Sequence, residues 1–216
     1  MKITKEQYLS DPCGASSLPY WKAVGLEMPE NLLILHDRDF SGECLAGDAD
    51  EPYFRLYHDL RGLRAATLPE GFRLCEATPA EYAAHINQCY DGASMTEADI
   101  RAYGRHRVYA PELWIAVREC GSGAIAATGI AEWDVEIGEG ILEWIQVSPA
   151  HRGRGLGTYV VTALLNRMAG RARFATVSGQ VNNPSNPEAL YRRCGFRGND
   201  IWHVLRPREC KAPESS

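Results

Sequence analysis

The sequence lacks any apolar run that approaches a membrane span. Leu32-Leu33-Ile34-Leu35 is among its longest, against the roughly 20 apolar residues a bilayer-crossing helix needs. The first residues, Met1-Lys2-Ile3-Thr4-Lys5-Glu6-Gln7, carry no apolar core and no cleavage pattern, so no secretory signal is expected. Basic excess is also missing: 23 Lys and Arg face 28 Asp and Glu, for a net charge of -5. A nucleic-acid partner is therefore not expected, because such proteins displace counterions with a basic face. The same balance leaves room for a small cationic substrate, which a mildly acidic protein repels less. Paired cysteines are absent too. The seven cysteines (Cys13, Cys44, Cys75, Cys89, Cys120, Cys194 and Cys210) are odd in number and scattered, with no C-x-x-C pair. Neither a zinc site nor a thioredoxin-like motif has support, and reduced thiols in the cytoplasm are the expectation. No repeat or low-complexity tract is present.

What the sequence does have is ordinary globular material. Its 216 residues are 45% hydrophobic and 24% charged, enough to bury a core without disulfide or metal staples. Residues 1–68 carry Pro12, Pro19, Pro29 and Pro52 and little periodicity. They read as an irregular N-terminal extension packed on the rest of the chain, with a short strand at Asn31–His36 and a strand or short helix at Tyr53–Leu60. A regular domain is expected over residues 69–208, and a flexible tail over 209–216.

Within that domain Phe72–Ala77 alternates like a strand. Thr78-Pro79-Ala80-Glu81 then has the form of a helix start, with an N-cap threonine, proline at the first helical position and glutamate three residues after the cap. A second helix is expected from near Thr96. Leu113–Arg118, Ala124–Asp134 and Gly140–Val147 read as an antiparallel meander. A helix over Gly155–Met168 comes next, carrying Leu156, Val160, Ala163 and Leu164 at helical spacing. Then come a strand at Phe174–Val181, a short helix at Asn186–Cys194 closed by Gly195, and a last strand at Ile201–Leu205. This order predicts a mixed α/β (α+β) layer in which a meander feeds a strand–helix–strand crossover.

The segment that carries chemistry is Arg152-Gly153-Arg154-Gly155-Leu156-Gly157-Thr158. It comes after a predicted strand and opens a helix, where unpaired backbone N–H groups and the positive end of the helix dipole favour a phosphate. The Walker lysine is absent, and Thr158 stands where a dinucleotide fingerprint needs its third glycine. The spacing Arg-x-x-Gly-x-Gly fits a different pattern.

With Arg152, Gly155 and Gly157 in that signature, the sequence resembles the GNAT superfamily of N-acetyltransferases. Ile145-Gln146-Val147-Ser148-Pro149 is similar to the family's cofactor strand and its adjoining loop. Asn186 through Phe196, NPEALYRRCGF, is similar to a second family motif, a helix running from asparagine to tyrosine and ending in Gly-Phe. The resemblance covers residues 70–206 and leaves the N-terminal third aside. It implies the GNAT acyl-CoA N-acyltransferase fold: a mixed, mostly antiparallel sheet with helices on both faces and a V-shaped splay between its fourth and fifth strands, here Gly140–Val147 and Phe174–Val181. It also implies direct transfer of an acetyl group from acetyl-CoA to a primary amine of an unidentified small molecule or peptide, with no metal. Dimers are common in the superfamily, so a homodimer is compatible with it.

By that resemblance Ile145, Gln146, Val147, Arg152, Gly153, Arg154, Gly155, Leu156, Gly157, Thr158, Asn186 and Tyr191 would bind the cofactor. Backbone groups near Ile145 and Val147 would meet the pantetheine amides, and Asn186 would meet the pantetheine arm or simply cap its helix. Tyr191 is expected as general acid toward the departing CoA sulfur. Glu143 is expected as general base. Strict alternation places it on one face with Ile145 and Val147, while a structural carboxylate bonded to an arginine is an equal reading, and Glu132 and Asp134 compete for the role. Ser178, Gln180 and Asn182 share a face that lines an acceptor pocket or meets solvent. Ser16–Lys22 would be a lid or plain packing, and Trp114, Trp133, Trp144 and Trp202 core, with Trp144 also placed to wall an acceptor pocket. Two other readings stay open: a catalytically silent acyl-CoA-binding sensor, and an acyltransferase using a longer acyl-CoA.

Overall fold

The computed structural model describes residues 3–27, 29, 31–41, 48–90 and 92–207, without the side chains of Asp48 and Pro207. Cys44, Cys210 and the expected tail at 209–216 lie outside the described residues. Cys13, Cys75, Cys89, Cys120 and Cys194 are free thiols.

In chain order the elements are α1 (Lys5–Ser10), α2 (Tyr20–Gly25), β1 (Leu33–His36), β2 (Asp48–His58), β3 (Phe72–Cys75), α3 (Pro79–Cys89), α4 (Glu97–Tyr103), β4 (Trp114–Glu119), β5 (Ile125–Asp134), β6 (Glu139–Val147), α5 (Leu156–Met168), β7 (Phe174–Gln180), α6 (Pro187–Arg193) and β8 (Arg197–Pro207). The strands form one eight-stranded sheet in the order β1-β8-β2-β7-β6-β5-β4-β3. Every neighbouring pair is antiparallel except β6 and β7.

Both helix starts on α3 and α4 close as capping boxes. The Thr78 hydroxyl accepts from the Glu81 N–H and the Glu81 carboxylate from the Thr78 N–H, and Thr96 and Asp99 repeat the pattern. Each box satisfies two N–H groups that the first turn cannot pair internally.

The two faces of the sheet carry different helices. α5 and α6 cover one face, where Leu156, Val160, Leu164 and Tyr191 pack with Ala131, Leu142, Ile145, Val177, Phe54 and Leu56. On the other face α3 and α4 pack Tyr82, Ile86 and Ile100 against Ala116, Ile130 and Trp144. Further along that same face Tyr8 of α1 and Tyr20 of α2 meet Ile137 and Phe174.

Two findings depart from the sequence reading. The first is the role of residues 1–68. Expected as an irregular extension, they supply β2, which lies inside the sheet between β7 and β8. A proline inside an interior strand is unusual, since it cannot donate to a ladder. Its position resolves this. Pro52 is opposite His203 in the β8 pairing, but its carbonyl turns the other way and accepts from the Val181 N–H at 2.9 Å, beyond the end of β7. Its missing N–H therefore faces the side on which β2 is paired only from Tyr53 onward.

The second is a β-bulge in β6. Leu142 is opposite Ala131 and Trp144 opposite Ile130, so Glu143 is the extra residue. Leu142 and Ile145 consequently both face α5, and Glu143 lies with Trp144 on the opposite face. The expected grouping of Glu143 with Ile145 and Val147 is thus corrected, because alternation restarts at the bulge. The bulge also coincides with the splay. The β6–β7 pairing runs from Glu139–Phe174 to Leu142–Val177 and stops there, while both strands continue. Among the described residues no helix is long and apolar enough to cross a membrane.

Candidate active site

A cavity of about 400 Å³ opens beside the end of β6 that lies beyond its last pairing with β7. The N-terminus of α5, the start of α6, the far end of β6 and the C-terminal end of α3 surround it. Gly153 and Gly155 take φ values of 76° and 82°, a left-handed conformation that is strained for residues with a Cβ. Gly155 is the N-cap of α5 and offers no side chain to the first turn. The N–H groups of Leu156, Gly157 and Thr158 thus stand at the positive end of a 13-residue helix, a geometry suited to an anion.

Eleven of the twelve residues expected at the cofactor line this cavity: Ile145, Gln146, Val147, Arg152, Gly153, Gly155, Leu156, Gly157, Thr158, Asn186 and Tyr191. Arg154 does not. Its guanidinium pairs with Glu119 at 2.9 Å and lies 4.4 Å from the Phe72 ring centre, turned away from the cavity. The expected charge contribution of Arg154 is therefore directed to β4. Asn186 sits at φ 48° and accepts from the Ala189 N–H at 3.3 Å, which is the N-cap role. Tyr191 is buried between Phe54 and Phe196, and burial pushes its phenol well above the ordinary range.

The sequence reading passed over several lining residues, Tyr90 foremost. It is the C-cap of α3, and its hydroxyl donates to the Ile145 carbonyl at 3.0 Å. Arg152 Nε donates to the Val147 carbonyl at 3.4 Å. Both carbonyls expected for the pantetheine arm thus already carry side-chain donors. This is the usual remedy where a strand loses its neighbour, and each carbonyl retains a second lone pair. Nothing in the spacing of the sequence marks a residue just past a helix end as a partner of the splay.

Behind the cavity wall lies a buried chain of polar groups. Gln146 Nε2 donates to Thr128 Oγ1, which is 2.9 Å from His85 Nδ1. Burial lowers the His85 pKa to about 4, with the nearby His151 charge adding to the effect. A neutral ring lets the Thr128 hydroxyl donate to Nδ1, which leaves Thr128 a lone pair for Gln146. The Gln146 side-chain oxygen is buried with no hydrogen-bond partner among the described residues.

Glu143 lies outside this cavity. Its carboxylate accepts from Lys22 Nζ at 2.6 Å, so the cationic neighbour is a lysine of α2 instead of an arginine. Both residues line a second cavity of about 250 Å³, near the point where β6 and β7 separate. The other acids are committed elsewhere. Glu132 holds His106 at 2.9 Å and Trp21 Nε1 at 3.2 Å, and its pKa is raised by burial and then by the Glu143 charge. Asp134 is bound by both terminal nitrogens of Arg107 at 2.8 and 2.9 Å. Ser178 also lines the second cavity, whereas Gln180 donates to the Tyr53 hydroxyl at 3.3 Å outside it. Ser17, Leu18, Pro19 and Lys22 form one wall of the second cavity, so the segment read as lid or packing covers a space. Among the described residues no group of three His, Cys, Asp or Glu side chains is arranged to hold a metal ion.

Residues 110–198 match the family described as acetyltransferase (GNAT) domain. A GCN5-related N-acetyltransferase from Sphaerobacter thermophilus is similar in structure, with a TM-score of 0.64, 20% identity, 81% of this chain covered and 59% of that one. The chain thus spans under two thirds of that relative. An acetyltransferase of the GNAT family from Novosphingobium aromaticivorans gives a TM-score of 0.53 and 16% identity, covering 85% of this chain and 71% of the other. A GCN5-related N-acetyltransferase from Kribbella flavida gives 0.51 and 19%, covering 83% and 68%. No curated protein matches the chain.

Proposed function

We propose that the chain is a GNAT acyltransferase, as the match of residues 110–198 to that domain family supports, and that it transfers the acetyl group of acetyl-CoA directly to a primary amine. The observation that carries this reading is the cavity running from the N-terminus of α5 to Tyr191 along the end of β6 that β7 leaves unpaired. Gly153 through Thr158 receive the pyrophosphate on backbone N–H groups, and Arg152 adds charge. The pantetheine arm lies along Ile145–Val147.

The amine nitrogen attacks the thioester carbon, the new C–N bond forms and the C–S bond breaks. The nitrogen loses its second proton as the adduct collapses, and the departing thiolate takes up one proton. A thiol has a pKa near 8.5 and free tyrosine about 10, so transfer from Tyr191 is uphill in water. Its contribution is a hydrogen bond to sulfur as charge develops in a dry site. On the acceptor side an alkyl ammonium has a pKa of about 10.4, so near pH 7 only about one molecule in a thousand is neutral. Glu143 takes that proton, and the approach to it is through the second cavity.

The test is release of free CoA thiol from acetyl-CoA with a panel of alkylamines, polyamines, amino acids, aminoglycosides and peptides. Turnover with some amine, reduced in Tyr191→Phe, supports the proposal. Tight acetyl-CoA binding by calorimetry with no turnover on any amine points to a sensor. No binding at all removes the reading of Gly153–Thr158.

A further inference from the structure

The second cavity contains enough detail to narrow the acceptor. Its volume of about 250 Å³ falls below the roughly 300–1,000 Å³ of pockets that enclose drug-sized ligands. That size suits a small acceptor better than an aminoglycoside or a folded peptide segment. Leu18, Ile34, Ile141, Leu142, Val177 and Trp202 supply its apolar surface. Among the described residues two cations and one acid line it: Arg55, Lys22 and Glu143.

Arg55 is not available to a ligand. Its guanidinium donates to the carbonyls of Pro12 and Ser17, to the hydroxyls of Ser178, Tyr8 and Thr176, and to Glu139. The pair Lys22–Glu143 is different. Lys22 sits on the six-residue helix α2, and its side chain retains 20% exposure against 2% for Arg55. A primary alkyl ammonium on a flexible stem therefore already occupies the carboxylate of the cavity, at 2.6 Å.

We infer that this cavity takes an apolar primary monoamine, alkyl or arylalkyl, whose ammonium replaces that of Lys22 on Glu143. The inference rests on the acetyl-transfer reading proposed for the site. A diamine fits worse, because its second ammonium would meet Arg55, and among the described residues the lining holds no second carboxylate. Lys22 acts as a tethered competitor that swings toward solvent when the amine enters. The incoming ammonium gives one proton to Glu143, its nitrogen bonds to the acetyl carbon and sheds a second proton as the C–S bond breaks, and the departing CoA sulfur takes up that second proton.

Acetyl transfer to 2-phenylethylamine and isopentylamine is to be compared with transfer to putrescine, spermidine and a lysine peptide, in wild type, Lys22→Met and Glu143→Gln. The monoamines are expected as the better acceptors. Lys22→Met is expected to lower their KM about tenfold, since a state held closed in most molecules weakens apparent affinity by that fraction. KM for acetyl-CoA should stay unchanged. Preference for the polyamine or the peptide overturns the inference. So does a rise in amine KM in Lys22→Met, or acetylation of Lys22 itself by mass spectrometry. Calorimetry of 2-phenylethylamine with CoA-loaded protein separates the two levels. Tighter binding to Lys22→Met without any turnover retains the monoamine site and removes acetyl transfer. Absence of both binding and turnover overturns the site.

Discussion

Tyr191 and Glu143 divide the proposed reaction between two cavities, and their surroundings predict different losses. Tyr191→Phe removes only a hydroxyl, and its ring contacts with Phe54 and Phe196 survive. Stability should stay within about 1 kcal/mol of wild type, while kcat falls about 10²-fold, the scale of one lost donor to developing charge. Parallel urea titrations and CoA-release assays check both halves. Glu143→Gln leaves Lys22 without its carboxylate, but both are part-exposed, so a stability change below about 1 kcal/mol is expected. Its signature is in kcat with amine. His85 makes a pH prediction. Its folded pKa of about 4 lies below the ordinary 6.5, so the folded state favours the neutral ring. The stabilisation is full above pH 6.5 and is lost as pH falls toward 4, amounting to about 2 to 3 kcal/mol. Unfolding free energies of wild type should drop across that window, and those of His85→Gln should drop less. Equal slopes would remove His85 as the source of the effect.

At the scale of elements, the cradle at α5 depends on the conformation of one residue. Gly155 has φ 82° and its nearest obstacle to a Cβ is Pro69 at 3.6 Å, so space is available and only the backbone objects. Gly155→Ala should destabilise by roughly 1 to 2 kcal/mol and weaken acetyl-CoA binding, because relief of the strain turns the first N–H groups of α5 away from the cavity. An unchanged Kd by calorimetry would show that those groups do not grip the ligand. The same elements mark what the sequence made legible. The α3 and α4 starts, the α5 glycines and the α6 cap are local, each fixed by residues within four positions, and their spacing foretold them. The bulge at Glu143 is not local. It exists because Leu142 and Ile145 must both face α5 while Trp144 faces α3 and α4, and no period within β6 announces that. Tyr90 and Arg154 were misjudged for the same reason: the partners Ile145 and Glu119 that direct them are 55 and 35 residues away.

At the scale of the whole molecule, the division at residue 68 drawn from composition does not correspond to a break in the sheet. β7 and β8 never pair with each other. β2 pairs with β7 through Tyr53–His58 and with β8 through most of its length. On the face opposite α5, Arg55 of β2 is buried against Glu139 of β6 at 3.4 Å, while the Tyr8 hydroxyl donates to the same carboxylate at 2.6 Å and the Tyr20 N–H reaches it at 3.2 Å. Strands from the two ends of the sequence and the helices α1 and α2 thus share one buried charge. Removing one member leaves the other uncompensated, a loss of about 3 to 5 kcal/mol, against a total stability on the order of 5 to 15. Arg55→Met should therefore be severely destabilised in urea titration, and Arg55→Met combined with Glu139→Gln should recover part of the loss. Strict additivity of the two would mean that they do not act as a pair. A truncated chain of residues 69–216 goes further, since it deprives β8 of its ladder to the rest of the sheet and opens the β7 edge. It should show no dispersed near-ultraviolet circular dichroism and no cooperative thermal transition, whereas a sharp transition would establish that the C-terminal part folds alone and that β2 is an addition to a complete domain.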